Sequence, residues 1–258
     1  MTMPRAKVYP GKRVINRRWG NRKQYLVARY KFGKKTVGVY SDTFDQFVKM
    51  LAKRTKNHQQ NVVNIEGDTG SGKSTLAIQM CIELSKKMGF TFSFKDDYIY
   101  SVDDLWRKLQ NPNANPISLI DEAALVLNAK RSMSRDGVDL VNLFNTMRSR
   151  GWSTFTVEPS IFQINKDMRA THIDYNIHCF SEDDCPLPGY GRGIFDVSKA
   201  RRPRYKRDAE PYWLMVTTGV FKELPKKIDA EYQPIKKKAQ EVLIQDMIKK
   251  RGGVQAEG

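Results

Sequence analysis

Residues 64–75 read NIEGDTGSGKST, an apolar approach that ends in a glycine-rich turn, a lysine and two hydroxyl residues. Gly67, Gly72, Lys73 and Ser74 match the spacing G-x-x-x-x-G-K-[ST], with Asp68, Thr69, Gly70 and Ser71 at the variable positions. The flanks supply the context that this spacing needs. Residues 61–65 are short and β-branched, whereas Leu76, Met80, Cys81 and Leu84 recur at helical spacing. Strand, loop and helix in that order aim the backbone N–H groups from Gly67 to Thr75, and a helix N-terminus, at a β-phosphate. Lys73 then reaches the β- and γ-phosphates, and Ser74 ligates magnesium.

Kinases, GTPases and motors all use such a loop, so a second site has to separate them. It lies at residues 117–122, ISLIDE. Ile117, Leu119 and Ile120 predict a buried parallel strand, and its carboxyl end brings Asp121 to the phosphates. Asp121 is expected to hold magnesium, usually through water, and Glu122 to act as general base on the attacking water. One strand and helix unit separates this strand from the phosphate loop, and the adjacent Glu122 points to the division with an additional central strand.

The remaining nucleotide chemistries fit less well. A guanine-reading Asn-Lys-x-Asp is missed by one position at Asn165-Lys166-Asp167-Met168, and no glycine follows Asp121 as in a GTPase switch. Neither an arginine-bearing lid nor an acceptor pocket for a small-molecule kinase is legible. ATP hydrolysis is the expected reaction.

The chain has 258 residues, a mass of 29.8 kDa and a formal net charge of +17. That length buries one good α/β core with residues to spare. No apolar run approaches a membrane span and no signal peptide opens the sequence, so a cytoplasmic protein is expected, in the host cytoplasm if viral. The three cysteines cannot all pair; with His172 and His178, Cys179 and Cys185 match no common zinc spacing, and a buried strand cysteine reads better.

The positive charge is concentrated. Residues 1–40 carry Arg13, Arg17, Arg18, Arg22 and further basic residues, interleaved with Trp19, Tyr25 and Tyr30 and with no acidic residue. Residues 199–207, KARRPRYKR, repeat the pattern. Both are footprints of a polyanion partner, and neither has the amphipathic helical pattern of a membrane-surface segment. DNA is the expected partner, duplex in preference to single-stranded.

The organisation follows. Strands are expected at 24–31 and 36–40 around a turn, then a helix through Phe44, Phe47, Val48 and Leu51. Core strands are expected at 61–65, 90–94, 117–120, 153–157 and 175–180, and helices at 102–109 and 138–147. Two further strands, 193–199 and 212–217, flank the second basic run, and Pro234 is expected to split the lysine-rich tail into two helical pieces. The fold class is α/β: a P-loop NTPase core of the RecA-like (ASCE) division, its central, mainly parallel sheet flanked by helices. The divisions expected are a basic N-terminal hairpin and helix (1–58), the ATPase core (59–181) and a basic C-terminal extension (182–258).

Residues 144–180, FNTMRSRGWSTFTVEPSIFQINKDMRATHIDYNIHCF, carry a more specific likeness. With the two preceding motifs, this stretch resembles the FtsK/HerA-like ATPases, in particular small genome-packaging and conjugation-type ATPases of archaeal viruses and plasmids. The resemblance covers roughly residues 60–181, with the exit KELPKKIDAEYQPIKKK (222–238) as a further candidate stretch. It implies ATP hydrolysis coupled to DNA translocation, a homo-oligomeric ring such as a hexamer, and a capsid or transfer-machinery partner. Such proteins commonly carry glutamine or asparagine at the end of the fourth strand, where Glu158 stands here. The stripe Leu140, Leu143, Phe144 and Met147 delivers Arg148 and Arg150 to an edge of the core, where one is expected to act on a neighbouring subunit's nucleotide, with Arg169 in reserve. Arginines at a helix C-terminus also interact favourably with the helix dipole, a structural alternative.

Overall fold

The computed structural model describes residues 7–15, 23–32, 35–121, 142–148, 150–185, 193–203 and 210–253, and the statements below concern these residues. The chain runs β1 (Lys7–Ile15), β2 (Lys23–Phe32), β3 (Lys35–Tyr40), α1 (Thr43–Lys56), β4 (Asn61–Glu66), α2 (Lys73–Met88), the single turn α3 (Phe94–Asp97), α4 (Val102–Gln110) and β5 (Ile117–Asp121). It continues through α5 (described over 142–148), β6 (Ser153–Val157), α6 (Lys166–Thr171), β7 (Tyr175–Cys179), β8 (Ile194–Arg201), β9 (Tyr212–Val220) and α7 (Lys226–Gly253).

The described strands form one nine-stranded sheet in the order β1-β2-β3-β9-β8-β7-β4-β6-β5. Strands β5, β6, β4 and β7 are parallel, and β6 lies between the phosphate-loop strand β4 and the acidic strand β5. This is the additional central strand anticipated from Glu122. The register sets Asn61, Ser153 and Ile117 level at the amino edge, and Ile65, Val157 and Asp121 level at the carboxyl edge. Both phosphate-site segments therefore leave the sheet side by side. Strands β8 and β9 are antiparallel additions, and β3 joins β9 in parallel through Val39↔Thr218 and Tyr40↔Gly219.

Helices cover both faces of the core. On one, Phe47 and Leu51 of α1 and Leu76, Met80 and Leu84 of α2 bury against Val63, Ile65, Leu119 and Phe155. On the other, Leu105 and Leu109 of α4, Leu143, Phe144 and Met147 of α5 and Met168 of α6 meet Val62 and Ile120. Alternation of side chains along a strand accounts for the division, since Val62 and Val63 point to opposite faces. Burial of that apolar surface drives association of the layers. Two buried asparagines in β4 interrupt the apolar pattern, and both are satisfied. Asn64 donates to Asn176 Oδ1 (2.7 Å) and accepts from Thr156 Oγ1 (3.0 Å), joining β7, β4 and β6. Asn61 donates to Ser153 Oγ (2.9 Å) and accepts from Arg54 Nε (2.6 Å), joining the strand ends to α1.

Two sequence expectations are corrected. Residues 90–94 form no strand, although FTFSF alternates as a strand would. The Ser93 N–H donates to Asp97 Oδ2 (2.8 Å) and starts the turn α3, while Tyr98 and Ile99 take the place beside β5, Tyr98 bridging to Leu119 in parallel and the Ile99 N–H donating to Leu119 O (2.8 Å). Pro234 does not split the tail, since α7 runs through it as one helix. Its exposure explains why: Tyr232 faces inward, whereas Pro234 lies on the outer side, where water can satisfy the carbonyl left without a donor.

Candidate nucleotide site

The loop between β4 and α2 turns through three glycines with positive φ: Gly67 (142°), Gly70 (83°) and Gly72 (89°). Gly67 is confined as well as twisted, since a Cβ there would lie 2.3 Å from the Cys179 carbonyl oxygen at the end of β7. Gly72 is the residue preceding α2, so the unpaired N–H groups of the first helical turn open onto the loop. The Lys73 ammonium folds back to donate to Gly67 O (2.6 Å) and Asp68 O (2.7 Å). Burial lowers its pKa, against the opposing pull of the Cys179 thiol and the Asp121 and Asp68 carboxylates. Ser71 Oγ is buried with no hydrogen-bond partner among the described residues.

Asp121, at the end of β5, faces the start of α2. Ser74 Oγ donates to Asp121 Oδ1 (3.2 Å), and Tyr232 of α7 donates its hydroxyl to Asp121 Oδ2 (2.5 Å). A serine hydroxyl and a carboxylate turned to one another are the oxygen donors a hard cation takes, so the residues fit magnesium beside a triphosphate. They enclose a cavity of about 790 Å³ with Glu158 on one wall and, on the other, the segment that leads from β9 into α7. Phe221 packs over Gly72, Gln79 Nε2 donates to Lys222 O (2.5 Å), and Lys236 faces Lys73. Glu158 is buried and follows β6 directly, between the two motif strands. Glu66 ties this wall down, since its carboxylate accepts from the Ile161 N–H and the Asn176 amide, both at 2.7 Å.

A family model for the novel STAND NTPase 3 family matches residues 39–179, more than half of the 258 residues. The chain belongs to this NTPase family. Its matched span runs from the end of β3 to the end of β7 and contains both motif strands. Among solved structures, the genome packaging NTPase B204 of Sulfolobus turreted icosahedral virus 2, in complex with AMPPCP, matches at 12% identity and a TM-score of 0.38, over 55% of this chain and 93% of that one. At that TM-score the likeness says nothing further about the chain. No curated protein sequence gives a significant match.

Among the described residues, Arg148 and Arg150 stand away from the phosphate loop of their own chain. Arg148 ends α5 and Arg150 comes two residues later, both before β6, at the amino edge of the parallel strands, a strand length of about 17 Å from the loop. Arg150 Nη1 is engaged by Leu109 O (2.7 Å). Arg148 is exposed, and its side chain makes no hydrogen bond or ion pair among the described residues. Arg169 is held by Phe162 O (3.0 Å), Ile164 O (2.8 Å) and Glu210 (2.5 Å), which anchors the segment after β6. Glu122, Leu140 and residues 204–207 of the second basic run lie outside the described residues. Among the described residues no helix is long and apolar enough to cross a membrane. Sequence reasoning missed Tyr232, and a lone tyrosine within KKIDAEYQPIKKK offered no signal for it.

One titration should be visible in the stability of the NTPase. Burial, with the Arg148 and Arg202 guanidinium groups, lowers the His172 pKa from 6.5 to about 4. The unfolded chain therefore takes up a proton at His172 that the fold refuses, and acidification from pH 6.5 through 4 destabilises the fold. His172→Gln should remove a loss on the order of 3 kcal/mol near pH 4. Urea unfolding at several pH values checks it: a wild-type pH slope in the variant would contradict the assignment. The comparison must be wild type against variant, because Asp196, raised to about 6 chiefly by burial, contributes with the opposite sign over the same range.

Proposed function

We propose that the protein is an ATP-dependent switch that binds DNA. It takes ATP with magnesium at the carboxyl edge, hydrolyses it slowly, and passes the nucleotide state to its C-terminal helix. The observation that carries this reading is the Tyr232 hydroxyl on Asp121 Oδ2. Magnesium, when bound, offsets charge on the phosphates; Ser74 and Asp121 would hold it, Lys73 would bind the β- and γ-phosphates, and Glu122 would take a proton from the attacking water. Asp121 answers both to Ser74 and to α7, so a change at the phosphates alters the contact that seats the helix. A hydrogen bond to a charged group contributes about 1.5–3 kcal/mol, enough to bias two positions of α7 by tenfold or more.

Tyr232→Phe is expected to raise basal ATP turnover about three- to tenfold and to uncouple α7 from nucleotide. Hydrogen exchange over 226–236, with and without a non-hydrolysable ATP analogue, reads the second effect. Unchanged turnover together with an undiminished nucleotide effect on α7 would defeat the switch.

A translocase of the packaging type, related to the FtsK/HerA-like ATPases, is the second reading. The exposed Arg148 favours it, because an arginine at the amino edge can serve only the nucleotide of another copy in a ring. The readings separate on rate: turnover on the order of 10 s⁻¹ or more, stimulated by duplex DNA in an assembled ring, supports the motor. Slow turnover with a nucleotide-dependent change in assembly supports the switch.

A further inference from the structure

A second cavity, of about 420 Å³, opens at the amino edge of the parallel strands, at the opposite end of the strands from the phosphate loop. Among the described residues three guanidinium groups line it, from Arg54 at the end of α1, Arg148 at the end of α5 and Arg202 just after β8, with His172 between them and Asp174 as the one carboxylate. Two of the arginines are fixed. Arg202 donates through Nε to Ala170 O and through Nη2 to Ile173 O, both at 2.6 Å, while Arg54 donates to Gln60 O (3.0 Å) and Asn61 Oδ1 (2.6 Å). Asp174 lies 3.6 Å from Arg54 and 3.8 Å from Arg202, so the third guanidinium, Arg148, is left without a counter-ion among the described residues. His172 is 4% exposed, and its Nδ1 has no hydrogen-bond partner among the described residues.

We propose that this cavity is a binding site for a phosphate group of a nucleic-acid backbone. The proposal rests on the DNA-binding part of the reading above and locates that contact. Among the described residues, three guanidinium groups against one carboxylate leave an excess of positive charge, and planar guanidinium donors match phosphate oxygens. Arg54 and Arg202 are already ordered by carbonyls, so little side-chain entropy is lost when an anion arrives. A neutral imidazole can donate Nδ1–H to a phosphate oxygen and satisfy a nitrogen that burial leaves unpaired. The single carboxylate is shared between Arg54 and Arg202 rather than free for a cation, which suits a singly charged diester better than a triphosphate with its metal. The surroundings select the strand. Arg201 and Arg202 open the run RRPRYKR, and Tyr212, paired with Arg201 across β8 and β9, is 63% exposed and offers a face to a base.

The test uses the full chain with its phosphate loop saturated by magnesium and a non-hydrolysable ATP analogue. Binding of labelled duplex and single-stranded oligonucleotides is followed against salt. Arg148→Ala should bind about tenfold more weakly and lower the log–log salt slope by about one. Its side chain is exposed, so the fold should survive the substitution, which circular dichroism checks. In the wild type, bound oligonucleotide should shift the His172 ring resonances and raise its pKa by a unit or more. An Arg148→Ala chain with wild-type affinity and slope, with His172 unmoved at saturation, overturns the site but leaves DNA binding elsewhere intact. A wild-type chain that binds no oligonucleotide overturns both. If inorganic phosphate or the ATP analogue moves the His172 resonances and the oligonucleotides do not, the cavity belongs to a free phosphate or to a nucleotide, and the proposal fails.

Discussion

Lys73→Ala is expected to abolish tight ATP binding, whereas Glu122→Gln should bind ATP as the wild type does and lose about a hundred- to ten-thousandfold in turnover. The two effects differ because the side chains meet different parts of the reaction. The Lys73 ammonium sits within the loop, 2.6 Å from Gly67 O and 2.7 Å from Asp68 O, where a phosphate would become its strongest partner. Its partly buried charge has no equal replacement among neutral residues, and loss of such a charged contact costs on the order of 3–5 kcal/mol. Glu122 directly follows Asp121, and its proposed work is confined to the water in the transition state, so its loss falls on kcat. Calorimetric titration with ATP and single-turnover hydrolysis separate them. Wild-type turnover by Glu122→Gln would show that another group takes the proton. Glu158, buried on the cavity wall beside β6, would be the first alternative, and Glu158→Gln would then carry the larger loss.

The motif strands were legible because burial on both faces of a parallel sheet writes a near-continuous apolar run, as in Ile117, Leu119 and Ile120 around the buried Ser118, and the phosphate loop has a spacing of its own. The position of β6 was legible too, through the acidic pair. The failures share one physical cause, contacts between distant residues that no local period records. FTFSF alternates like a strand, but a strand needs a neighbour, and the place beside β5 is taken by Tyr98 and Ile99. No strand is expected from the sequence at residues 7–15, within the first basic run, yet this stretch pairs with β2. Tyr232 meets Asp121 across 111 residues of chain, so the contact that distinguishes this site from a generic phosphate loop cannot be found by scanning. Arg169 shows the converse: an arginine in a suggestive run is occupied by two backbone carbonyls and Glu210.

Gly67→Ala is expected to be the most damaging single substitution in the loop. Alanine at a φ of 142° is strained by about 1–3 kcal/mol, and its Cβ would overlap the Cys179 carbonyl oxygen at 2.3 Å. That oxygen is backbone at the end of β7, a strand bonded on both sides, so it cannot turn away as a side chain could. The overlap brings the cost to about 3–5 kcal/mol, which lowers Tm by roughly 10 °C in a chain of this length. The rise in Tm that a bound nucleotide gives should vanish with it, because the loop amides no longer converge. Gly70→Ala is the control. Gly70 has φ of 83° but nothing within 4 Å of the point where a Cβ would stand, so only conformational strain of about 1 kcal/mol applies and the nucleotide shift should survive. Gly72→Ala falls between them and probes the C-terminal wall. Its Cβ would meet the Phe221 ring at 2.9 Å, and a ring can swing aside where a carbonyl cannot. It should therefore loosen the segment entering α7, seen as faster hydrogen exchange over 221–236, while the loop itself holds. Equal Tm losses for all three alanines would mean that backbone strain alone governs the loop, and that neither Cys179 nor Phe221 shapes the phosphate site.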